Sequence, residues 1–162
     1  MTRPRLKPTV LRDPVHVLAT GFGVGLAPYA PGTAGSLLAL LPCALVLEWP
    51  WQAQAVVALI IFVIGVVVCD ASARRLGAHD HPAIVLDEIA AMLTVMPFVA
   101  QSWAWLTLAL VLFRFFDVVK PWPIRDLDHR LAGGLGIMLD DQMAAVYTGI
   151  CLVIAQRIGA IA

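Results

Sequence analysis

The amino-acid sequence predicts an all-α membrane protein with about four to five short hydrophobic helices and polar loops between them. Of its 162 residues, 60% are hydrophobic and only 14% are charged, whereas about a quarter of the residues in a soluble domain are charged. The mean hydropathy of +0.86 places most of the chain out of water, in a membrane or in a very apolar interior. The apolar runs lack strict alternation of apolar and polar residues, which favours helices over strands.

The hydrophobic helices are predicted from five apolar runs separated by short polar connectors. These runs cover residues 37–47, 53–69, 89–100, 103–116 and 143–161. Only the second and the last approach the roughly 20 residues that cross a bilayer, so the other three allow shallow, tilted or re-entrant helices. Pro42 and Pro97 are expected to kink or shorten the first and third helices. Five crossings are predicted, with four crossings and one re-entrant segment as the alternative.

The charge distribution predicts which side of the membrane the polar connectors occupy. With five crossings, residues 21–36, 70–88 and 114–141 all emerge on the side of the N-terminus. Ten of the eleven Lys and Arg residues then lie on that side, with Arg157 as the exception, and this bias places it in the cytoplasm. The formal net charge of zero argues against nucleic-acid binding through bulk positive charge. Residues 1–14 are predicted to form a basic arm, and residues 15–162 a single membrane domain.

The first polar connector contains a glycine-rich motif, GFGVGLAPYAPGTAGS at residues 21–36. Five glycines and two prolines predict a loop rather than a regular helix. Its end, which includes Gly32, Thr33, Gly35 and Ser36, leads directly into an apolar helix. Backbone N–H groups and the helix dipole at such a junction favour an anion. The alternative is a glycine-rich entry loop into a membrane helix with no ligand.

Two pairs of adjacent acidic residues follow in the later connectors. Asp87 and Glu88 stand at the start of an apolar segment, and Asp140 and Asp141 at the predicted start of the final helix. Neighbouring carboxylates repel each other unless a cation lies beside them, and carboxylate oxygens suit Mg²⁺. Each pair has a second interpretation, because acidic residues also stabilise helix N-termini in water.

Basic residues accompany these acids on the same side. Arg114, Asp117 and Lys120 are spaced by three residues, so a helix that continues to Lys120 presents them on one face. Arg125 follows just beyond a pair of prolines. Arginine, lysine and N–H donors select phosphate oxygens, while carboxylates select a hard cation. The combination predicts a membrane protein that handles a phosphorylated substrate at the cytoplasmic surface.

The same segments carry a family resemblance. GFGVGLAPYAPGTAGS, HDHPAIVLDE, FRFFDVVKPWPI and GGLGIMLDDQMAA resemble the motifs of the phosphatidylglycerophosphatase A family, in the same order and with similar spacing over most of the chain. The resemblance implies an all-α phosphatase of the bacterial inner membrane that requires Mg²⁺. Its implied reaction converts phosphatidylglycerophosphate, a phospholipid, into phosphatidylglycerol and inorganic phosphate.

The resemblance also implies a role for each motif residue. The implied catalytic residues are Asp87, Glu88, Asp117, Asp140 and Asp141. Of these, the two adjacent pairs are expected to hold Mg²⁺, with one member of each pair binding directly because neighbours on a helix point about 100° apart. The implied phosphate-binding residues are Gly32, Thr33, Gly35, Ser36, Arg114, Lys120 and Arg125. Water oriented by Asp141 or an aspartyl-phosphate intermediate are both compatible with this set.

Two other classes of protein compete with an enzyme. An ion-coupled transporter also places carboxylates in a membrane, but usually near the bilayer middle, whereas these apolar runs carry no charge in their middles. A non-enzymatic membrane adaptor needs only a solvated charged face, and gives no reason for two acidic pairs beside glycines and basic residues.

Overall fold

The computed structural model describes residues 6–78, 81–122, 124 and 133–159. It confirms the all-α prediction, since the described residues form helices and no strand. The six α-helices within them are α1 (Pro14–Ala19), α2 (Pro31–Val46), α3 (Trp51–Leu76), α4 (Leu86–Val95), α5 (Trp103–Val119) and α6 (Gly133–Gly159). Short 3₁₀ helices cover Pro8–Arg12, Val24–Leu26 and Met96–Phe98.

Two of these helices are long and apolar enough to cross a membrane, namely α3 with 26 residues and α6 with 27. The apolar helix α2 is shorter, with 16 residues. One side of α3 exposes large apolar side chains, including Leu59, Val63 and Val67, and such a surface suits a lipid environment. The number of crossings and their orientation stay predictions.

Helix α4 occupies the centre of the fold and packs against α2, α3 and α6. Ala90 and Ala91 allow the neighbouring helices to approach closely, while Met92 and Val95 fill the space between them; all four are fully buried. Because α4 is enclosed on several sides, the polar residues of its first turn are held inside the protein rather than in water. The fold therefore places Asp87 and Glu88 inside the protein, where α4 meets its neighbouring helices.

The predicted loop at residues 32–36 is wrong. Helix α2 begins at Pro31, so Gly32, Thr33, Gly35 and Ser36 belong to its first two turns. Proline suits the first helical position because its missing N–H has no partner there in any case. Gly32 and Gly35 let α2 pack closely against Glu88 and Val85.

The predicted start of the final helix is also wrong. Helix α6 begins at Gly133, which places Asp140 and Asp141 two turns inside it. The glycine-rich segment becomes helical because it packs on α3, where a Cβ atom at Gly134 would collide with the Val66 carbonyl. Asp70 of α3 accepts a hydrogen bond from the Gly134 N–H at 3.1 Å and so caps α6 from another helix.

The two prolines act differently. Helix α2 continues past Pro42 to Val46, so this proline does not end the helix. Pro97 acts as expected, because α4 ends at Val95 and gives way to the 3₁₀ turn Met96–Phe98.

Candidate active site

The polar segments of the sequence converge where four helices meet. The first turn of α4 supplies Asp87 and Glu88, and α6 supplies Asp141. Helix α5 supplies Arg114, and the start of α2 supplies Thr33. These residues belong to the three connectors that were expected on one side of the membrane. The structure brings them together.

Three carboxylates form the centre of this junction. Asp87, Glu88 and Asp141 each offer one oxygen atom, and the three oxygens lie within 4.8 Å of one another. All three residues are at least nine-tenths buried. Asp117 lies close enough to Asp141 for a side-chain hydrogen bond. The cluster therefore concentrates negative charge in a place from which water is largely excluded.

The environment of Glu88 disfavours the charged form of its carboxyl group. Burial, followed by the negative charge of Asp141, raises the pKa of Glu88 to about 8, despite the nearby Arg114. Its Oε2 atom is buried and accepts no hydrogen bond from the described residues. A buried carboxylate oxygen without a donor is unfavourable unless a cation binds it. An all-oxygen set of this kind matches the ligands that Mg²⁺ prefers.

Arg114 links the carboxylate cluster to the start of α2. Its Nη1 atom lies 3.9 Å from Glu88 Oε1 and forms an ion pair with Asp117. Its guanidinium donates to Thr33 Oγ1 at 3.2 Å and to Ser36 Oγ at 3.4 Å. A planar guanidinium with several donors suits the oxygens of a phosphate group. The predicted phosphate ligand is thus next to the predicted cation ligands.

The two glycines of the motif allow helix α2 to approach the cluster. A Cβ atom at Gly32 would collide with Glu88 Oε1, and one at Gly35 would lie 2.6 Å from the Cβ of Val85. At Gly35 the start of α4 would have to move away from α2, whereas at Gly32 the Glu88 carboxylate would have to move. No described side chain caps the N-terminus of α2, so its positive end is available to an anion.

Comparison with known proteins identifies the family. A family model described as phosphatidylglycerophosphatase A matches residues 17–156. The chain belongs to the phosphatidylglycerophosphatase A family. This membership confirms the resemblance and the prediction of an enzyme, a phosphoric monoester hydrolase.

Three curated relatives cover most of the chain. Phosphatidylglycerophosphatase A of Escherichia coli is 43% identical over 147 residues, which are 90% of this chain and 84% of the relative. Phosphatidylglycerophosphatase A of Haemophilus influenzae is 39% identical, over 93% of this chain and 94% of the relative. A putative phosphatidylinositol-3-phosphatase of Bacteroides thetaiotaomicron is 34% identical, over 96% and 98%. No solved structure matches the chain.

The two members of the second acidic pair have different partners. Asp141 joins the cluster, whereas Asp140 Oδ2 accepts a hydrogen bond from Lys120 Nζ at 2.7 Å. The first pair is not divided in this way, because Asp87 and Glu88 both reach the cluster. Lys120 ends α5 with a left-handed backbone (φ 44°), which turns the chain away from the helix axis.

The remaining predicted residue, Arg125, lies outside the described part of this family member. His81 is buried, and its Nδ1 accepts a hydrogen bond from the Ala83 N–H at 3.1 Å, so it supports the turn that precedes α4.

Two polar residues on helices α3 and α6 were missed from the sequence. Asp70 caps α6, and its signal was its position as the single acidic residue of the apolar helix α3. Gln142 follows Asp141 directly, and its Nε2 atom is buried without a hydrogen-bond partner among the described residues. Nothing in the sequence distinguishes Gln142 from an ordinary polar residue of a helix, because the lack of a hydrogen-bond partner for its Nε2 atom depends on the residues that pack around it.

Proposed function

We propose that the chain hydrolyses the terminal phosphate of phosphatidylglycerophosphate and yields phosphatidylglycerol and inorganic phosphate, with Mg²⁺ as cofactor. The observation that carries this proposal is the position of the Arg114 guanidinium, 3.9 Å from Glu88 and beside the buried carboxylate cluster. Family membership supports the reaction class, and the relatives from E. coli and H. influenzae are named for this activity.

Asp87, Glu88 and Asp141 would hold Mg²⁺, because their oxygens converge and one oxygen of Glu88 lacks a donor. Bound Mg²⁺ supplies neutralisation of phosphate charge and polarisation of the phosphorus centre. This chemistry meets the main requirement of phosphoryl transfer, which is positioning and charge stabilisation.

The protein's own residues bind and orient the phosphate. Arg114 donates to the phosphate oxygens in place of its present contacts with Thr33 and Ser36, and the positive end of α2 lies on the same side. Lys120 neutralises Asp140 and keeps that carboxylate out of the cluster.

Water then attacks phosphorus, and the bond between phosphorus and the glycerol oxygen breaks. Asp141 orients the water and accepts one of its protons, with Asp117 within hydrogen-bond reach to share it. The glycerol oxygen leaves and takes up a proton, so the products are an alcohol and inorganic phosphate. An aspartyl-phosphate intermediate is the rival route, and trapping with hydroxylamine distinguishes the two, because only an acyl phosphate forms a hydroxamate.

The test is phosphate release by the purified protein in detergent, with phosphatidylglycerophosphate and either Mg²⁺ or EDTA. Wild type is expected to release phosphate only with Mg²⁺, and Asp141→Asn to lose this activity. Asp13→Asn is the matched control, because Asp13 lies outside the site and an asparagine can still cap α1. Absence of release from wild type would refute the proposal; release that EDTA does not reduce would refute the Mg²⁺ requirement.

The substrate headgroup is tested in the same assay. The relative from B. thetaiotaomicron is named as a putative phosphatidylinositol-3-phosphatase, so phosphatidylinositol 3-phosphate is the competing substrate. We expect a higher kcat/KM for phosphatidylglycerophosphate, and the reverse order would assign the chain to the other headgroup. Neither a transporter nor an adaptor predicts phosphate release from either lipid.

We further propose that the chain is a multi-pass protein of the bacterial inner membrane with its active site on the cytoplasmic side. The support is the bias of Lys and Arg residues in the connectors and the two helices long enough to cross a bilayer. Labelling of an introduced cysteine at Thr33, which is exposed, tests the orientation: a membrane-impermeant reagent should reach it only in inverted vesicles.

A further inference from the structure

The N-terminal segment, residues 13–25, packs beside the turn that leads into α4, and the proposed reaction does not use it. This segment contains α1 and the first part of the glycine-rich motif, GFGVG at residues 21–25. Helix α1 packs on α3, and Ala19 at its end lies in one buried cluster with Cys69 and Ala73 of α3. The segment is therefore part of the packed interior of the protein.

One buried polar contact fixes this segment on α3. His16 Nδ1 lies 2.9 Å from Ser72 Oγ, a hydrogen-bond distance, and both side chains are buried. Asp13 and Arg75 form a second contact, but this ion pair is partly exposed, and exposed ion pairs contribute little. Separating His16 from Ser72 would leave buried polar groups without partners, which is unfavourable. The His16–Ser72 contact therefore determines where α1 lies on α3.

Asp13, His16 and Ser72 are the residue types of a catalytic triad, but the geometry excludes that use. Ser72 has no exposed surface, so its hydroxyl group cannot reach a substrate. His16 Nε2 lies 3.9 Å from Asp13 Oδ2, which is longer than a hydrogen bond. The contact between His16 and Ser72 therefore joins two helices and performs no chemistry itself.

The other end of the N-terminal segment holds the turn at residues 83–85, which precedes α4. The Ala19 carbonyl accepts a hydrogen bond from the Val85 N–H at 2.9 Å. A Cβ atom at Gly25 would lie 2.1 Å from the Ala83 carbonyl oxygen, so the two main chains are in direct contact there. The position of this turn therefore depends on the position of α1 and of the loop that follows it.

Thr20 connects the two ends of the N-terminal segment. Its hydroxyl group donates a hydrogen bond to the His16 carbonyl at 2.6 Å and accepts one from the Gly23 N–H at 3.1 Å. Its own carbonyl accepts a hydrogen bond from the Gly25 N–H at 2.8 Å. Because Thr20 is fully buried, these bonds do not compete with water. A displacement of His16 is therefore passed on to the loop that contacts the turn.

The turn in its place determines where α4 begins. Val85 immediately precedes α4, and Asp87 and Glu88 lie in the first turn of that helix. The side chain of Val85 has no acceptor with which to cap α4, so its main-chain bond to Ala19 holds the entry to the helix. A shift of this entry moves both carboxylates.

We propose that His16 is a positioning residue for the carboxylate cluster. With Ser72 it fixes α1 on α3, and α1 fixes the entry to α4 from which Asp87 and Glu88 project. The proposal rests on the proposed Mg²⁺-dependent phosphatase function and adds a contact outside the cluster on which that function depends. Mg²⁺ tolerates little displacement of its ligands, so loosening the entry to α4 weakens Mg²⁺ binding.

The experiment removes the His16–Ser72 contact and leaves the cluster itself unchanged. His16→Leu keeps a side chain of similar volume that cannot bond to Ser72, whereas His16→Asn returns a polar atom near the position of Nδ1. Gln54→Leu is the matched control, because Gln54 is also buried and its Nε2 donates to the Val46 carbonyl at 2.9 Å. Gln54 lies 18 residues before Ser72 on α3, or about 27 Å along the helix.

Two measurements on the full-length protein in detergent report on the entry to α4. Hydrogen–deuterium exchange with EDTA, read on the peptide that contains residues 83–88, measures opening of the turn without metal or activity. His16→Leu should exchange there about three- to tenfold faster, the effect of one neutral hydrogen bond, and calorimetric titration should show a Kd for Mg²⁺ raised by a similar factor. His16→Asn should restore most of both values. Ser72→Ala should match His16→Leu, and the double variant should be no worse than either.

The control and the wild type separate this inference from its alternatives. Gln54→Leu should lower the Tm but keep wild-type exchange at residues 83–88 and wild-type Mg²⁺ affinity. An equal change in Gln54→Leu and His16→Leu would overturn the proposal, because the effect would then be a general loss of stability. Wild-type exchange or wild-type Mg²⁺ affinity in His16→Leu would also overturn it. A wild type that neither binds Mg²⁺ nor releases phosphate would instead refute the proposed function itself.

Discussion

Substitution of Gly32 by alanine tests the geometry of the proposed site with a change of one methyl group. Gly32 lies in the first turn of α2, where an added Cβ would collide with Glu88 Oε1 and lie 3.3 Å from Arg114 Nη1. The Glu88 carboxylate must therefore move away from the cluster. Because Mg²⁺ binds oxygen at about 2.0–2.1 Å with little tolerance, a displaced carboxylate is lost or weakened as a ligand.

The expected loss of Mg²⁺ affinity follows from the displacement of Glu88. Disturbing the support of a metal ligand typically lowers affinity about 10- to 100-fold, or about 1.4–2.7 kcal/mol. Folding should survive, because alanine is a better helix former than glycine. Calorimetric titration with Mg²⁺ measures the affinity, phosphate release measures the Mg²⁺ requirement, and thermal unfolding in detergent with EDTA measures stability.

Gly159→Ala is the control for Gly32→Ala. It is the same chemical change on α6, at a position where an added Cβ meets no atom of the described residues within 4 Å, so Mg²⁺ affinity should equal that of wild type. A Gly32→Ala protein that binds Mg²⁺ as tightly as wild type would refute the placement of Glu88 as a ligand beside α2. A wild-type protein that binds no Mg²⁺ would by itself refute the cofactor proposal.

Three further predictions concern individual contacts of the site. Arg114→Lys keeps the positive charge but loses the planar set of donors, so kcat/KM should fall about 10- to 100-fold, whereas Arg157→Lys on the exposed end of α6 should match wild type. The pKa of Glu88 is raised from 4.5 in the unfolded chain to about 8; with EDTA, its contribution to stability is thus full below pH 4.5 and is lost as the pH rises through 8. Added Mg²⁺ should reverse this loss in thermal unfolding, and Glu88→Gln should weaken the pH dependence; a Tm that is flat with pH in wild type would contradict the raised pKa. Asp70→Ala removes the cap of α6 and should lower the free energy of unfolding by about 1 kcal/mol. Asp70→Asn can still cap the helix and should keep most of that stability. An unchanged Tm for the alanine variant would show that the cap contributes nothing.

Local sequence features predicted the helices well where one physical signal dominated. The long apolar runs at residues 53–69 and 143–161 correspond to α3 and α6, although α6 is described only to Gly159. The run at residues 103–116 corresponds to α5, whose N-terminus is capped by Ser102 Oγ, which accepts the Trp105 N–H at 3.3 Å. Pro97 predicted the end of α4 because proline removes a helical hydrogen bond.

The errors occurred where packing between helices overrides local preference. Residues 31–36 and 133–136 are rich in glycine, which favours loops in an isolated chain. In the folded protein the same glycines let α2 approach Glu88 and let α6 approach Val66. The close contacts compensate for the low helix propensity of glycine, and neither contact partner is near in sequence.

The sequence by itself determined the chemical types present and their approximate location: oxygen ligands, basic donors and glycines in three connectors between apolar helices. Only the tertiary structure decided which carboxylates meet. Asp141 reaches Asp87 and Glu88, while its neighbour Asp140 faces Lys120. The reason is physical: the direction of a side chain depends on the rotation and depth of its helix, and for α6 these are set by contacts with α3 and α4 that no local pattern contains.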